Sequence, residues 1–399
     1  TASHNPPKYN GYKVYWDDGC QITYPVDKDI IDLVKNTDFA DIKTMDRLEA
    51  IKRGLYYVIG SEMDDAYINE LKKLVLSGDA IKRQADKLKI VYTPFHGTGN
   101  MPVKRVLNEL GFKNVYIVKE QEEPDGDFTT LDYPNPEDEK AFTLALKLAK
   151  EKDADIVLAT DPDADRLGVY AKDTKTGEYK QFTGNMSGML LAEYELSLKK
   201  ENGLLKPDST LITTIVSTNL AFKVAENYKL NLIEVLTGFK YIGEKIKGFE
   251  ESGKGTYEFG FEESYGCLIG THARDKDGIM AVTGLCEAAA YYMDKGMTLW
   301  DQMLAMYEKY GYFKEGIYTL EGEDGAKRIK EVMNNLRNNP PKELGGYKVI
   351  QTRDYENDTV TDMENGKTAP TGLPKSNVLY FDMTDDAWFC VRPSGTEPK

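Results

Sequence analysis

The sequence predicts an α/β protein of several domains, with largely parallel or mixed sheets and a smaller α+β unit at the C-terminal end. Three observations lead there. Between about residues 80 and 312, short β-branched apolar runs alternate with longer amphipathic ones, and the pattern occurs twice; that is the rhythm of βαβ units. From about Gly311 it changes to one helix followed by strand-like runs. The chain has 399 residues, 41% of them hydrophobic, enough for two to four domains at roughly 150 residues each.

Taken in order, "GYKVYWDDGCQIT" reads as a strand pair and "DKDIIDLVKN" as a helix with acidic residues in its first turn, where they favour the helix dipole. "SEMDDAYINELKKLVLSG" is expected as a connecting helix, from a capping Ser61 to a stop at Gly78. "KIVYTP" (Lys89–Pro94), "PVKRVLNELGF", "NVYIVKE", "PEDEKAFTLALKLAKEK" and "ADIVLAT" make strand, helix, strand, helix, strand. "STLITTIVST", "NLAFKVAENYKL" and "NLIEVLT" repeat the unit. Then "DGAKRIKEVMNNLRNN" is a helix stopped by Pro340, before strand-like "YKVIQTRDY", "NVLYFDM" and "AWFCVRP". The divisions expected are 1–79, 80–182, 183–312 and 313–399, with the N-terminal loop and connecting helix in the first.

A formal net charge of −15 and a pI near 4.9 argue against a nucleic-acid or membrane-surface partner, since both want basic patches. An anionic ligand would need locally concentrated positive charge. Cys20, Cys267, Cys286 and Cys390 form no CxxC pair and read as reduced thiols. The best apolar stretch, "IMAVTGLCEAAAYYM", is too short to span a bilayer and contains Glu287. It reads as a buried helix. A cytoplasmic location is the expectation.

The sharpest chemical signal is "ATDPDADRLGVY". Asp161, Asp163 and Asp165 alternate in a loop after an apolar strand, with Pro162 opposing helix formation. Such carboxylates can converge on one hard cation, and Mg²⁺ takes oxygen ligands while leaving positions for water or phosphate. An EF-hand is excluded, because its sixth position would be Arg166 rather than Gly and its twelfth Lys172 rather than Glu. The other reading is a solvated acidic turn.

"TPFHGTGNMP" imitates a dinucleotide fingerprint, with Gly97 and Gly99 after a strand and Glu120 about 20 residues on. Pro102 occupies the third glycine position and is expected to block close helix–strand contact, so a tight strand–turn–helix joint is favoured. "RPSGTEPK" offers a guanidinium (Arg392), two hydroxyls (Ser394, Thr396) and free N–H groups around Gly395, a compact anion cradle. "GFEESYG" presents Glu262, Glu263 and Ser264 after a strand, as acceptors for sugar hydroxyls or as a plain acidic surface loop. His4, His96 and His272 show no metal spacing. Ser3 beside His4 is not a hydrolase arrangement, since adjacent side chains rarely face each other, and no G-x-S-x-G elbow occurs.

In that order, "TASHNP", "DPDADR", "EES" and "RPSGTEP" resemble the four active-site loops of the α-D-phosphohexomutases. "TGFKYIG" and "THARDKDG" bring the resemblance nearest to the phosphoglucomutase/phosphopentomutase-like branch. It implies four α/β-type domains around one central cleft, each giving a loop. It implies a Mg²⁺-dependent enzyme that interconverts glucose 1-phosphate and glucose 6-phosphate through a phosphoserine and glucose 1,6-bisphosphate. By matching position, Ser3 resembles the phosphoserine, with His4 and Lys13 beside the transferred group. Asp161, Asp163 and Asp165 match the metal ligands, with Arg166 next to them. Thr237, Gly238 and Lys240 match a sugar-facing loop, Glu262 and Ser264 the pair that reads sugar hydroxyls, and Arg274 and Lys276 a basic segment nearby. Arg392, Ser394, Gly395 and Thr396 match the loop that grips the non-transferred phosphate. Lys13 and Lys276 are both candidates for the general base.

The resemblance also implies that sequence of the first domain precedes Thr1 and a final stretch follows Lys399. Other readings are the same chemistry on mannose or pentose phosphates, a catalytically idle sugar-phosphate binding relative, and a nucleotide-dependent dehydrogenase.

Overall fold

The computed structural model describes residues 3–5, 9–320 and 322–393. They fall into two compact units divided between Tyr312 and Phe313.

The larger unit opens with α1 (Val26–Lys35) and α2 (Arg47–Lys52), neither of which buries a residue. α1 forms where expected, with Asp27 and Asp29 in its first turn and Lys35 in its last. The strand pair expected before it does not form. One antiparallel bridge, Tyr15 to Gln21, stands in its place. Tyr12 and Trp16 remain exposed, so no buried face fixes a register that a ladder could extend.

The connecting segment is two helices rather than one, α3 (Ser61–Lys73) and α4 (Gly78–Gln84). Gly60, not Ser61, is the cap of α3, and Gly78 opens α4 instead of ending a helix. The break has a tertiary cause. The backbone N–H groups of Leu76 and Ser77, which a continuing helix would need, donate to the Glu287 carboxylate.

Next come β1 (Lys89–Thr93), α5 (Asn100–Leu110), β2 (Asn114–Ile117), α6 (Thr143–Lys152), β3 (Ile156–Thr160), β4 (Leu167–Lys172) and β5 (Tyr179–Phe182). They form a sheet of order β2-β1-β3-β4-β5. β1 is parallel to both neighbours, with Ile90 opposite Val115 and Ile156, while β4 and β5 are antiparallel. α7 (Gly184–Glu201), β6 (Ser209–Thr214), α8 (Leu220–Tyr228), β7 (Asn231–Val235), α9 (Phe239–Ser252), β8 (Thr256–Phe261), β9 (Cys267–Ile269), α10 (Gly278–Asp294) and α11 (Leu299–Tyr310) follow. Their sheet has the order β7-β6-β8-β9, the first four strands of the preceding sheet over again. Strands buried on both faces, such as β1 and β3, and the helices against them bury Val91, Phe95, Phe142 and Val157 in one core. Ile212, Phe239, Ile242 and Leu268 lie in the other.

This topology positions the chemistry. In each sheet the chain leaves one central parallel strand in opposite directions, so a crevice opens beyond the carboxyl ends of β1/β3 and β6/β8. β3 runs into Asp161, and β8 runs into Glu262. The two chemically marked loops occupy equivalent places in the repeated fold.

The smaller unit contains α12 (Gly322–Asn338), β10 (Glu343–Leu344), β11 (Tyr347–Asp354), β12 (Thr359–Asp362), β13 (Thr368–Ala369), β14 (Leu379–Met383) and β15 (Trp388–Val391). The strands are antiparallel and pack on α12 through Met333, Val349, Leu379 and Phe381. α12 ends ahead of Pro340, as its sequence predicts. Arg392 follows β15; Ser394, Gly395 and Thr396 lie outside the described residues. All four cysteines are free. Among the described residues no helix is long and apolar enough to cross a membrane.

Candidate active site

Asp161 directly follows β3, and Asp165 and Arg166 lead into antiparallel β4, so the loop must turn sharply. It is held by its own first residue. The Asp161 Oδ1 accepts the N–H groups of Asp165 (3.1 Å) and Arg166 (3.0 Å), and its carbonyl accepts that of Ala164. The result brings one oxygen from each of Asp161, Asp163 and Asp165 within 4.8 Å of one another.

Ser3 reaches this cluster from the N-terminal segment. Its Oγ donates to Asp161 Oδ2 at 2.7 Å and lies 3.2 Å from His4 Nδ1. The adjacent side chains therefore do face each other, contrary to the sequence expectation. Ser3 has a φ of 54°, so its backbone is not the extended form that sends neighbouring side chains to opposite faces. Lys13 Nζ pairs with Asp163 Oδ2 (3.1 Å) and Asp165 Oδ2 (2.9 Å). Lys276 Nζ lies 3.2 Å from the same Asp165 oxygen and 2.9 Å from Asp275. Gly266 is what lets the Lys276 stem pass, since a Cβ there would run into it. Arg166 pairs with Glu137 at 3.1 Å.

The electrostatics follow from burial and this crowding. Burial, reinforced by Asp165 and Asp163, pushes the Asp161 carboxyl well up. Burial alone would raise Asp165 too, but Lys276, Lys13 and Arg166 outweigh it and hold that carboxyl well below the usual range. Burial disfavours charge on both lysines, yet Asp165 with Asp163 (Lys13) and Asp165 with Asp275 (Lys276) raise both ammonium groups above their ordinary value. Neither lysine is a free base in this arrangement.

A hard cation fits these donors. The Oδ1 atoms of Asp163 and Asp165 are buried and, among the described residues, accept no hydrogen bond, though Arg166 Nε lies 3.9 Å from that of Asp165. Unpartnered anionic oxygens in a buried cluster are costly unless something positive meets them, and oxygen-only ligands suit Mg²⁺.

The sugar-reading candidates lie next to this cluster. Glu262 is buried; its Oε1 accepts the Gly238 N–H at 2.8 Å, and burial raises its carboxyl. Gly238 opens α9 with a φ of 121°. Thr237 and Ser264 are half-buried, and Lys240 rests over the Tyr241 ring. Leu167 N–H donates to Tyr265 O at 2.9 Å, which fastens the metal loop to the "EES" loop. Arg274 is directed elsewhere, to Glu250 and, at 3.7 Å, to the Cys20 sulfur.

Sequence reasoning missed several supports. Asp275 bridges Lys276 and the Tyr15 hydroxyl (2.6 Å); the run "RDKDG" was its only signal. The "TPFHGTG" turn is the floor of the metal loop. Thr98 N–H donates to Pro162 O at 2.9 Å, so the donor a pyrophosphate would need is already used. Pro102 does not hold the helix away as expected. It sits in the first turn of α5, where its missing N–H is harmless, and Gly99 provides the close approach to Tyr92 and Thr160.

Two repeated α/β/α units bring carboxylates, lysines and a serine hydroxyl together beyond the strand ends, a donor set that could hold a hard cation and an anionic group. Comparison with known proteins makes this specific. The chain matches the family models for phosphoglucomutase/phosphomannomutase α/β/α domain I over residues 1–41, domain II over 65–176 and domain III over 183–310. A phosphoglucomutase of Staphylococcus epidermidis is 36% identical over 403 residues, covering all of this chain and 71% of that protein. The "probable phosphomannomutase" of Haemophilus influenzae is also 36% identical, covering all of this chain and 75% of its own. In fold, a phosphoglucomutase/phosphomannomutase family protein of Burkholderia thailandensis superposes with a TM-score of 0.57 at 18% identity, over 97% of this chain and 68% of that one. An N-acetylphosphoglucosamine mutase of Aspergillus fumigatus, solved with GlcNAc-6P and magnesium, superposes at 0.51 and 13% identity, over 88% and 81%. The chain belongs to the α-D-phosphohexomutase family. It is a phosphohexomutase, an isomerase that acts on sugar phosphates.

Proposed function

We propose that this enzyme interconverts glucose 1-phosphate and glucose 6-phosphate, with Ser3 carrying the phosphoryl group and glucose 1,6-bisphosphate as intermediate. The observation that carries the reading is the 2.7 Å contact of Ser3 Oγ with Asp161 inside a cluster of three carboxylates and two lysines. Phosphoryl transfer needs positioning and charge neutralisation more than covalent chemistry, and those are what such a cluster supplies. Asp161, Asp163 and Asp165 would hold Mg²⁺, which when bound supplies a Lewis acid against the developing charge.

The remaining roles belong to the chain itself. The free sugar hydroxyl attacks the phosphorus on Ser3, the bond to Ser3 Oγ breaks, and the hydroxyl proton leaves to a base. Lys13 and Lys276, kept protonated by Asp165 and its neighbours, neutralise charge on the moving group and are poor acceptors. His4, whose Nδ1 lies 3.2 Å from Ser3 Oγ, is placed in this reading to give the departing Ser3 oxygen its proton and to take it back when Ser3 is phosphorylated again; the acceptor of the sugar hydroxyl's proton lies on the opposite, in-line side of the phosphorus. Arg166 adds positive charge beside the triad. Glu262 and Ser264, with Thr237, Gly238 and Lys240 alongside, read the sugar hydroxyls; Arg392, Ser394, Gly395 and Thr396 grip the other phosphate. The bisphosphate then turns over and returns its second phosphate to Ser3. Arg274, engaged with Glu250, has a supporting role at most.

Divisions at 79/80, 182/183 and 312/313 and a cytoplasmic location belong to the same reading. The second reading, mannose phosphates as substrate, is favoured by the Haemophilus relative. A mutase assay with glucose 1-phosphate, mannose 1-phosphate and ribose 1-phosphate tests both. A kcat/KM for mannose 1-phosphate equal to or above that for glucose 1-phosphate reverses the preference, and no interconversion of any of them overturns the activity.

A further inference from the structure

Asp277 follows Lys276 directly and has more partners than a helix cap requires. Its Oδ1 accepts the Met280 N–H at 2.8 Å, the ordinary capping bond of α10. Its backbone N–H donates to Cys267 O at 3.0 Å, at the start of β9. The same carboxylate also accepts the Tyr67 hydroxyl, at 2.8 Å and 2.9 Å to its two oxygens. His272 Nε2 lies 2.9 Å from Oδ2, and both side chains of that pair are buried. Capping needs none of the last three contacts. What they do is lock the carboxylate plane, and with it the backbone that carries Lys276.

Tyr67 comes from α3, within the segment that matches domain II, whereas Asp277 and Lys276 lie in the segment that matches domain III. α10 is fastened at two further points along its length, to the joint between α3 and α4 and to α4 itself. Glu287 takes the Leu76 N–H at 2.7 Å and the Ser77 N–H, and Asp294 takes Arg83 and Gln84. Tyr67 is thus fixed relative to α10. The ammonium it helps to aim, Lys276, reaches back across the same boundary to Asp165.

We propose that Tyr67 and His272 are positioning residues for phosphoryl transfer, acting through Asp277 to hold Lys276 against the metal loop of the neighbouring domain. The proposal rests on Lys276 taking part in the reaction, as read above. A shift of about 1 Å in such a group can lower a rate by on the order of a hundredfold.

Tyr67→Phe removes one hydroxyl and keeps the ring. The expected result is a kcat about tenfold lower, with KM and melting temperature nearly unchanged and faster hydrogen exchange at amides 275–278. In a Lys276→Met background the same substitution should lower the residual kcat no further, because residues that act through one another are not additive. His272→Ala should behave like Tyr67→Phe, and His272→Gln, whose amide can still donate to Asp277, should recover part of the loss. Unchanged kcat and exchange in Tyr67→Phe overturn the proposal, and so does an equal loss with and without Lys276. If Lys276→Met turns over like wild type, the underlying reading of Lys276 fails and the proposal fails with it.

Discussion

Ser3 Oγ and Asp161 Oδ2 meet at 2.7 Å although 158 residues separate them in the chain. The serine adopts a left-handed backbone to make the contact, a conformation that costs a non-glycine residue on the order of 1 kcal/mol or more. Its carboxylate partner is fixed by two backbone N–H groups of its own loop. The hydroxyl is the adaptable member of the pair.

Replacing that hydroxyl should separate its chemistry from the fold. Ser3→Ala is expected to lose all phosphorylation by intact-mass measurement and nearly all mutase turnover, with little change in melting temperature because Ser3 is only half-buried. Turnover at the wild-type level would remove Ser3 from the reaction.

Asp163 offers the cleanest test of the cation site, since it contributes a buried oxygen without a hydrogen-bond partner among the described residues. Asp163→Asn keeps the shape and removes one charge. Mg²⁺ affinity by calorimetry should fall at least tenfold, about 1.4 kcal/mol or more, and kcat should fall with it. Equal affinity in the two proteins would place the ion elsewhere.

Gly97 tests the support beneath the loop. A Cβ there would lie 2.5 Å from Pro162 Cα, 2.6 Å from Pro162 O and 2.8 Å from Pro94 O, all backbone atoms that cannot swing away. Gly97→Ala is expected to destabilise by about 1–3 kcal/mol and to weaken Mg²⁺ binding by displacing Asp161 and Asp163. Gly126→Ala, whose added Cβ meets nothing within 4 Å, is the control and should leave both unchanged. A Gly97→Ala protein that melts and binds like the control would show that the turn yields.

A fourth expectation concerns pH. Burial pushes the Glu287 carboxyl up to about 7, against about 4.3 in an unfolded chain. Between those values the unfolded state has released its proton and the folded state still holds it, so this group makes stability fall as pH rises, with no further loss above the folded value. Glu287→Gln has no proton to lose and can still accept from Leu76 and Ser77. Relative to wild type it should gain stability from about pH 4.5 to 7, by up to about 3 kcal/mol, and then level off. Urea unfolding of both proteins across that range measures the difference; a constant difference would mean that Glu287 does not titrate there.

What was readable in the chain was whatever depends on neighbours in sequence. The two βαβ rhythms, the helix before Pro340 and the alternating aspartates of "DPDAD" each follow from local pattern, and each forms where the pattern put it. The local misreadings share one feature. Residues 11–23 had strand-like alternation but acquired no buried face, and the helix over residues 61–78 was broken by a carboxylate more than 200 residues away.

The sequence by itself determined which residues could do chemistry: a serine, three aspartates in one loop, a glutamate pair and several lysines. The tertiary structure decided which of them meet. Lys13 and Lys276 converge on one oxygen of Asp165, while Arg274, two residues from Lys276, turns to Glu250. It also sets the direction in which each group of the cluster shifts, through burial and through the charged neighbours that the fold brings up. Both are properties of distance through space, which chain spacing does not encode.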